Sequence, residues 1–128
     1  MALFTGKQNY DYFRACGLKN HQLLFAPHAV DNQRFEDTPG RNYAARALQL
    51  RTELGFRPHD IVFLFAGKLQ SKKDPELLMN AFRNASIPEA RLLIVGNGML
   101  EARLLQLAER DARIRVTGFR NQSDMPVL

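Results

Sequence analysis

No stretch of this 128-residue sequence approaches the roughly 20 consecutive apolar residues needed to cross a bilayer. The longest runs, Ile61–Ala66 and Leu92–Val95, have the length of strands, so no transmembrane segment is expected. The N-terminus, Met1–Lys7, lacks both a basic start and a long apolar stretch; it does not read as a secretory signal, and a cytoplasmic location follows. Cys16 is the only cysteine, which excludes an internal disulfide and leaves it the role of a small apolar residue. His21, His28 and His59 are scattered and belong to no metal-ligand or triad pattern, so they are expected in loops or on the surface. Ser71, Ser86 and Ser123 lie in no nucleophile-elbow motif, and no pair of carboxylates marks a glycosidase. No catalytic residue and no metal site is nominated.

The chain does have ordinary globular composition, 45% hydrophobic and 24% charged, enough for one hydrophobic core. Its formal charge is +5, which raises the question of nucleic acid. The basic residues are spread along the chain and interleaved with acids, as in Arg103, Glu109, Arg110, Asp111 and Arg113, whereas a nucleic-acid footprint is a concentrated stripe. No nucleic-acid partner is expected. A modest positive balance also suits a protein that holds a diphosphate.

Read in order, the segments alternate between strand and helix. Thr5 to Ala15 before Gly17 reads as a short helix, and Leu23-Leu24-Phe25, ended by Pro27, as a buried strand. From Arg41 to Leu54, Tyr43, Ala44, Ala47, Leu48, the stem of Arg51 and Leu54 recur at helical spacing before Gly55. Ile61–Ala66 is continuously apolar, the pattern of a strand covered on both faces. Asp74-Pro75 supplies a helix cap and first residue, with Leu77, Leu78, Ala81, Phe82 and Ala85 as the apolar face. Arg91–Val95 is the next strand, Gly96-Asn97-Gly98 a turn, and Leu100, Leu104, Leu107 and Ala108 the next helical stripe. Ile114–Thr117 is the last strand, and Ser123-Asp124-Met125-Pro126 opens a further helix.

This alternation predicts an α/β fold: an open parallel Rossmann-like sheet of about four strands, truncated, with helices on both faces. The division expected is a short helical or hinge segment over 1–20 and a partial Rossmann-like domain over 21–128. Ligands of such sheets bind outside the carboxyl ends of the strands, so the loops after Ala66, Val95 and Thr117 are the candidate sites. Gly67-Lys68-Leu69-Gln70-Ser71-Lys72-Lys73-Asp74 places lysines and backbone N–H groups near a helix start, where phosphate is favoured, although the residue order is not that of a Walker A loop. Gly96-Asn97-Gly98 lacks the spacing of a dinucleotide fingerprint and serves equally as a plain turn. Gly118-Phe119-Arg120 lets backbone, ring or guanidinium approach a base, while Phe119 fits the core equally well.

Taken together and in this order, Ala26–Phe35, Phe65-Ala66-Gly67-Lys68-Leu69 with Lys73, Val95-Gly96-Asn97-Gly98, and Val116-Thr117-Gly118-Phe119 resemble the GT-B glycosyltransferases of the family 4 type. The likeness spans about residues 10 to 128, in the first part of that family's C-terminal donor-binding domain. It implies a nucleoside-diphosphate sugar as donor, with Gly67, Lys68 and Lys73 at the diphosphate and Gly96, Asn97, Gly118, Phe119 and Arg120 at the nucleotide. It also implies transfer with retention of configuration and no cofactor beyond the donor. The family's acidic donor motif and its acceptor domain have no counterpart in these 128 residues, so they are expected to be inactive alone. Peripheral membrane contact by a full-length parent stays open. An open sheet edge points to self-association. The competing reading is a non-catalytic α/β module that pairs with another chain.

Overall fold

Continuous apolar strands joined through helices favour parallel pairing, and every strand pair in the computed structural model is parallel. All 128 residues are described, and they divide into two compact units, Met1–Glu36 and Asp37–Leu128.

In the first unit, β1 (Ala2–Phe4) leads into α1 (Lys7–Ala15), then β2 (Leu23–Phe25) and the single turn α2 (Asn32–Phe35). β1 pairs with β2 in register Ala2 to Leu23. β1 has no counterpart in the sequence reading: three residues are too few for a periodic signal. The reading of β2 as a buried strand in the main sheet is corrected on both counts. It belongs to this separate two-stranded sheet, and Leu24 and Phe25 are more than half exposed. Phe4 does pack its ring against Tyr10 and Phe25. Cys16, expected as a small apolar residue, is an exposed free thiol.

The second unit holds α3 (Tyr43–Glu53), β3 (Ile61–Ala66), α4 (Pro75–Asn84), β4 (Ala90–Val95), α5 (Glu101–Ala108) and β5 (Ile114–Thr117). Its sheet runs β3-β4-β5, so β4 is central and β3 and β5 are edges. The α/β class with an open parallel sheet stands, with three strands in the main sheet rather than four. From one face of β4, Leu92 and Ile94 pack with Met79 and Phe82 of α4, Leu104 and Leu107 of α5, and Leu69. From the other, Leu93 and Val95 pack with Phe56, Leu54, Val62 and Leu128. Helices α4 and α5 thus cover one face of the centre, while the chain just after α3 and the C-terminal residue cover the other.

β3 resembles β4 in sequence but not in burial: Ile61 is 56%, Phe63 49% and Leu64 43% exposed. An edge strand has one neighbour instead of two, so the expected cover on both faces is absent. Two helical faces also turn. α4 buries Pro75, Met79 and Phe82 at i, i+4 and i+7, while Leu77 is exposed. In α3, Leu48 faces solvent and Leu50 takes its place beside Tyr43, Ala47, Arg51 and Leu54 on the half-buried face. The α5 stripe of Leu100, Leu104, Leu107 and Ala108 packs as expected.

Candidate functional site

Parallel strands deliver all their carboxyl ends to one side of the sheet, and there the loops after β3, β4 and β5 continue the hydrogen-bonded ladder. Gly67 N–H donates to the Val95 carbonyl and Leu69 N–H to that of Asn97, both at 2.9 Å; Gly96 N–H donates to the Thr117 carbonyl at 3.3 Å. Leu69 is fully buried in the core and pins the first loop, while its neighbour Lys68 is exposed. Alternation along extended backbone explains this: once Leu69 is drawn inward, the residue before it faces away.

Two glycines allow this stacking of loops. Gly96 has φ +146°, and a Cβ there would lie 1.8 Å from the Gly67 carbonyl oxygen. At Gly98, φ +155°, a Cβ would lie 2.3 Å from the Leu69 carbonyl oxygen. Both positions therefore exclude side chains on backbone and steric grounds. The turn Gly96-Asn97-Gly98 is what brings the second loop against the first.

Between these loops and the one after β5 lies a cavity of about 280 Å³, lined by Ala66, Gly67, Lys68, Val95, Gly96, Asn97, Phe119, Arg120 and Met125. It gathers six of the residues nominated from sequence: Gly67, Lys68, Gly96, Asn97, Phe119 and Arg120. Gly118 and Lys73 are outside its lining. Phe119 is 66% exposed, so its ring forms cavity wall rather than core. Lys73 ends a single helical turn, Ser71–Lys73, that separates the β3 loop from α4.

The start of α4 is occupied by the chain itself. Asp74, in left-handed backbone at φ 45°, accepts a hydrogen bond from Leu77 N–H at 3.2 Å, and Pro75 is buried. The expected capping is present, and it places a carboxylate where the sequence reading put a phosphate. The anion-attracting charge of the cavity comes instead from Lys68 and Arg120. No acidic side chain is among its lining residues.

The cavity's other wall was not foreseen. Met125 contributes to it from the start of a short helical turn after β5, where the sequence carries no local signal of which way a single apolar residue faces. The helix expected from Ser123 is a single turn, Met125–Val127, and Asp124 points its carboxylate backward to Asn121 N–H at 3.2 Å. That bond closes the turn following Phe119 and Arg120. Arg120 also borders a second groove lined by Arg46, Gln49, Glu53 and Asp124. His21, His28 and His59 are exposed, as expected for loop residues.

Comparison with known proteins agrees with the fold. The crystal structure of Alr3699/HepE from Anabaena in complex with UDP superposes with a TM-score of 0.74 at 19% identity, covering 98% of this chain and 34% of that one. The same protein with UDP-glucose gives 0.71 at 20% identity and the same coverage. WaaG, a glycosyltransferase involved in lipopolysaccharide biosynthesis, gives 0.64 at 17%, covering 98% and 34%. The chain thus spans about a third of the length of these structures. No curated protein matches it. No helix is long and apolar enough to cross a membrane. The model of the glycosyl transferases group 1 matches residues 48–128, which take in the whole cavity, and the chain belongs to that family of GT-B glycosyltransferases.

Proposed function

We propose that this chain binds the nucleoside-diphosphate part of a sugar donor for glycosyl transfer. The observation that carries the reading is the cavity at the carboxyl ends of three parallel strands, where the side chains of Lys68, Asn97 and Arg120 have no partner within the protein and Phe119 presents an exposed ring. Solved structures of the same fold hold UDP or UDP-glucose, which supports the same class of ligand here.

In this reading the base stacks on Phe119 and the Lys68 ammonium faces the diphosphate. Negative charge grows on that diphosphate as the sugar departs, and a fixed cation already oriented toward it lowers the barrier without reorganising. Lys73 enters as a second diphosphate contact through the family resemblance alone. Retention at the sugar carbon is likewise the family's expectation. Transfer also needs an acceptor held in line with the donor, and these 128 residues supply only the donor wall; we infer that they bind without turnover.

Titration of UDP by calorimetry tests the reading. Lys68→Ala is expected to weaken binding about tenfold, the scale of one charged hydrogen bond, and the wild-type affinity is expected to fall with added salt. Saturable binding that is indifferent to both salt and Lys68 would refute it. Lys73→Ala, made in parallel, reports whether the second lysine takes part.

A second reading, as an interaction module, is favoured by β3. Its exposed Ile61, Phe63 and Leu64 sit on a free strand edge with no charge in the strand, a pattern that invites pairing with another copy of itself. Sedimentation at micromolar concentration is expected to show a dimer or larger species; a clean monomer would count against it.

A further inference from the structure

The turn Gly96-Asn97-Gly98 carries a reactive pair besides its steric role. Asn97-Gly98 is the only Asn-Gly step in the sequence; every other asparagine is followed by a residue with a Cβ. The backbone nitrogen after an asparagine can attack that asparagine's own side-chain carbonyl carbon, and a Cβ on the attacking residue obstructs the approach. Glycine removes the obstruction.

The fold leaves both reacting groups free. Asn97 and Gly98 are exposed, the Asn97 side-chain amide has no hydrogen-bond partner, and Gly98 N–H donates to no acceptor in the chain. That N–H is open to base from solvent, which makes its nitrogen the nucleophile. By contrast, Asn9 and Asn20 accept from Thr5 N–H and from the Tyr10 hydroxyl, and Asn80 and Asn84 lie within α4.

In the step itself, Gly98 N bonds to Asn97 Cγ and the bond from Cγ to the side-chain nitrogen breaks. The proton lost from Gly98 N leaves with that nitrogen as ammonia. The resulting five-membered imide takes up one water. Opening at Cγ gives aspartate, and opening at the main-chain carbonyl gives isoaspartate, with one more methylene in the backbone. Water is the only co-reactant, and nothing is oxidised or reduced.

We propose that Asn97 is a site of this self-modification and that the modification closes the cavity to its ligand; the second part rests on the donor-site reading above. Asn97 borders, with Lys68, both the cavity and a neighbouring hollow shared with Gln70 and Met99. Either product therefore puts a carboxylate in the wall that Lys68 also lines, where it gives the unpartnered ammonium an internal partner and repels a diphosphate. Isoaspartate does more. Its extra methylene falls between Gly96 and Gly98, where an added Cβ would already meet the Gly67 or Leu69 carbonyl oxygen at 1.8 or 2.3 Å, so the stacked loops are forced apart.

Incubation of the folded chain in mildly alkaline buffer tests this, with peptide mapping by mass spectrometry and UDP calorimetry on samples drawn over time. The amide-to-acid mass gain is expected at Asn97 ahead of every other asparagine, and UDP affinity of the converted fraction is expected to fall at least about tenfold. A fresh Asn97→Asp variant should show that loss from the start. Asn97→Ser, whatever its initial affinity, should keep it through the same incubation. Conversion of Asn97 in urea but not in the folded chain would overturn the proposal, because the turn would then protect the amide. Conversion with undiminished UDP affinity would overturn the effect on the cavity and leave the donor-site reading in place. A fresh chain that binds no UDP would overturn the donor-site reading, with the mass map still deciding the modification.

Discussion

The two ends of the β3-β4-β5 sheet handle charge in opposite ways. At the amino-terminal end, charged groups are matched. Asp60, only 6% exposed, accepts from Arg91 Nε and from Arg57 N–H, and its carbonyl accepts from Arg51. Arg113 forks onto Asp111, bonds the Ala85 carbonyl and lies over the Phe82 ring, while Arg115 donates to Leu54, the residue closing α3. At the carboxyl end, the side chains of Lys68, Asn97 and Arg120 are left without partners. Matched charges fix the spacing between elements, whereas unmatched ones leave an electrostatic demand for something outside the chain to meet. The same residue types thus hold the sheet together at one end and are available to a ligand at the other.

The sharpest way to break this comparison is to unmatch the first end. Asp60→Ala leaves the largely buried Arg91 guanidinium and the Arg57 N–H without their acceptor, and is expected to cost about 3–5 kcal/mol in urea denaturation. A loss no larger than that of a surface substitution would mean that the amino-terminal end is not held by this pair. Next in size is Gly96→Ala at the other end. Its new methyl would overlap the Gly67 carbonyl oxygen in left-handed backbone, a cost of about 3 kcal/mol from crowding and strain together. Because the methyl forces the first loop away, Gly96→Ala should also abolish UDP binding in the fraction that remains folded, as read by calorimetry.

How much of this was legible in the sequence depends on whether the deciding information was local. β4 was readable because a central strand is apolar throughout and is buried throughout. β3 carries the same pattern, yet whether a strand has one neighbour or two is fixed by chain elsewhere, so its exposed faces were not. The capping of α4 by Asp74 was readable, being a matter of adjacent residues; the rotation that buries Met79 and exposes Leu77 depends on what α4 packs against. Among the candidate site residues, those directly following a strand, Gly67, Lys68, Gly96 and Asn97, fell together because strand ends fix their position. Lys73 ends a helical turn that its sequence did not announce, and Met125 reaches the cavity from another, Met125–Val127. The steric reason for Gly96 and Gly98 required knowing that the Gly67 and Leu69 carbonyls lie opposite them.

A subtler separation of the two ends is expected from acid. The Arg113 side-chain hydrogen bonds beside Asp111 hold its carboxyl below the ordinary value of 3.8. A carboxylate with a lowered folded-state pKa adds stability that is fully present above the unfolded value and fades as pH falls through the folded one. The difference in unfolding free energy between the wild type and Asp111→Asn should therefore be constant at neutral pH and shrink below about pH 4. A difference that holds steady down to pH 2 would show that the Asp111–Arg113 fork contributes through packing rather than charge.

The smallest stability effect belongs to Lys68→Ala, and its smallness is what makes it decisive. Lys68 is exposed and its ammonium bonds to nothing in the chain, so removing it should change the unfolding free energy by no more than about 0.5 kcal/mol. The same substitution is expected to cost about tenfold in UDP affinity. Asp60→Ala should show the reverse, a large loss of stability with unchanged affinity in the folded fraction, since Asp60 sits at the far end of β3 from the cavity. With no shared partners, the two losses should add in the double variant to within about 0.5 kcal/mol. If instead Lys68→Ala destabilises the protein, its ammonium is neutralised within the fold, and the contrast between a structural and a ligand-facing end disappears.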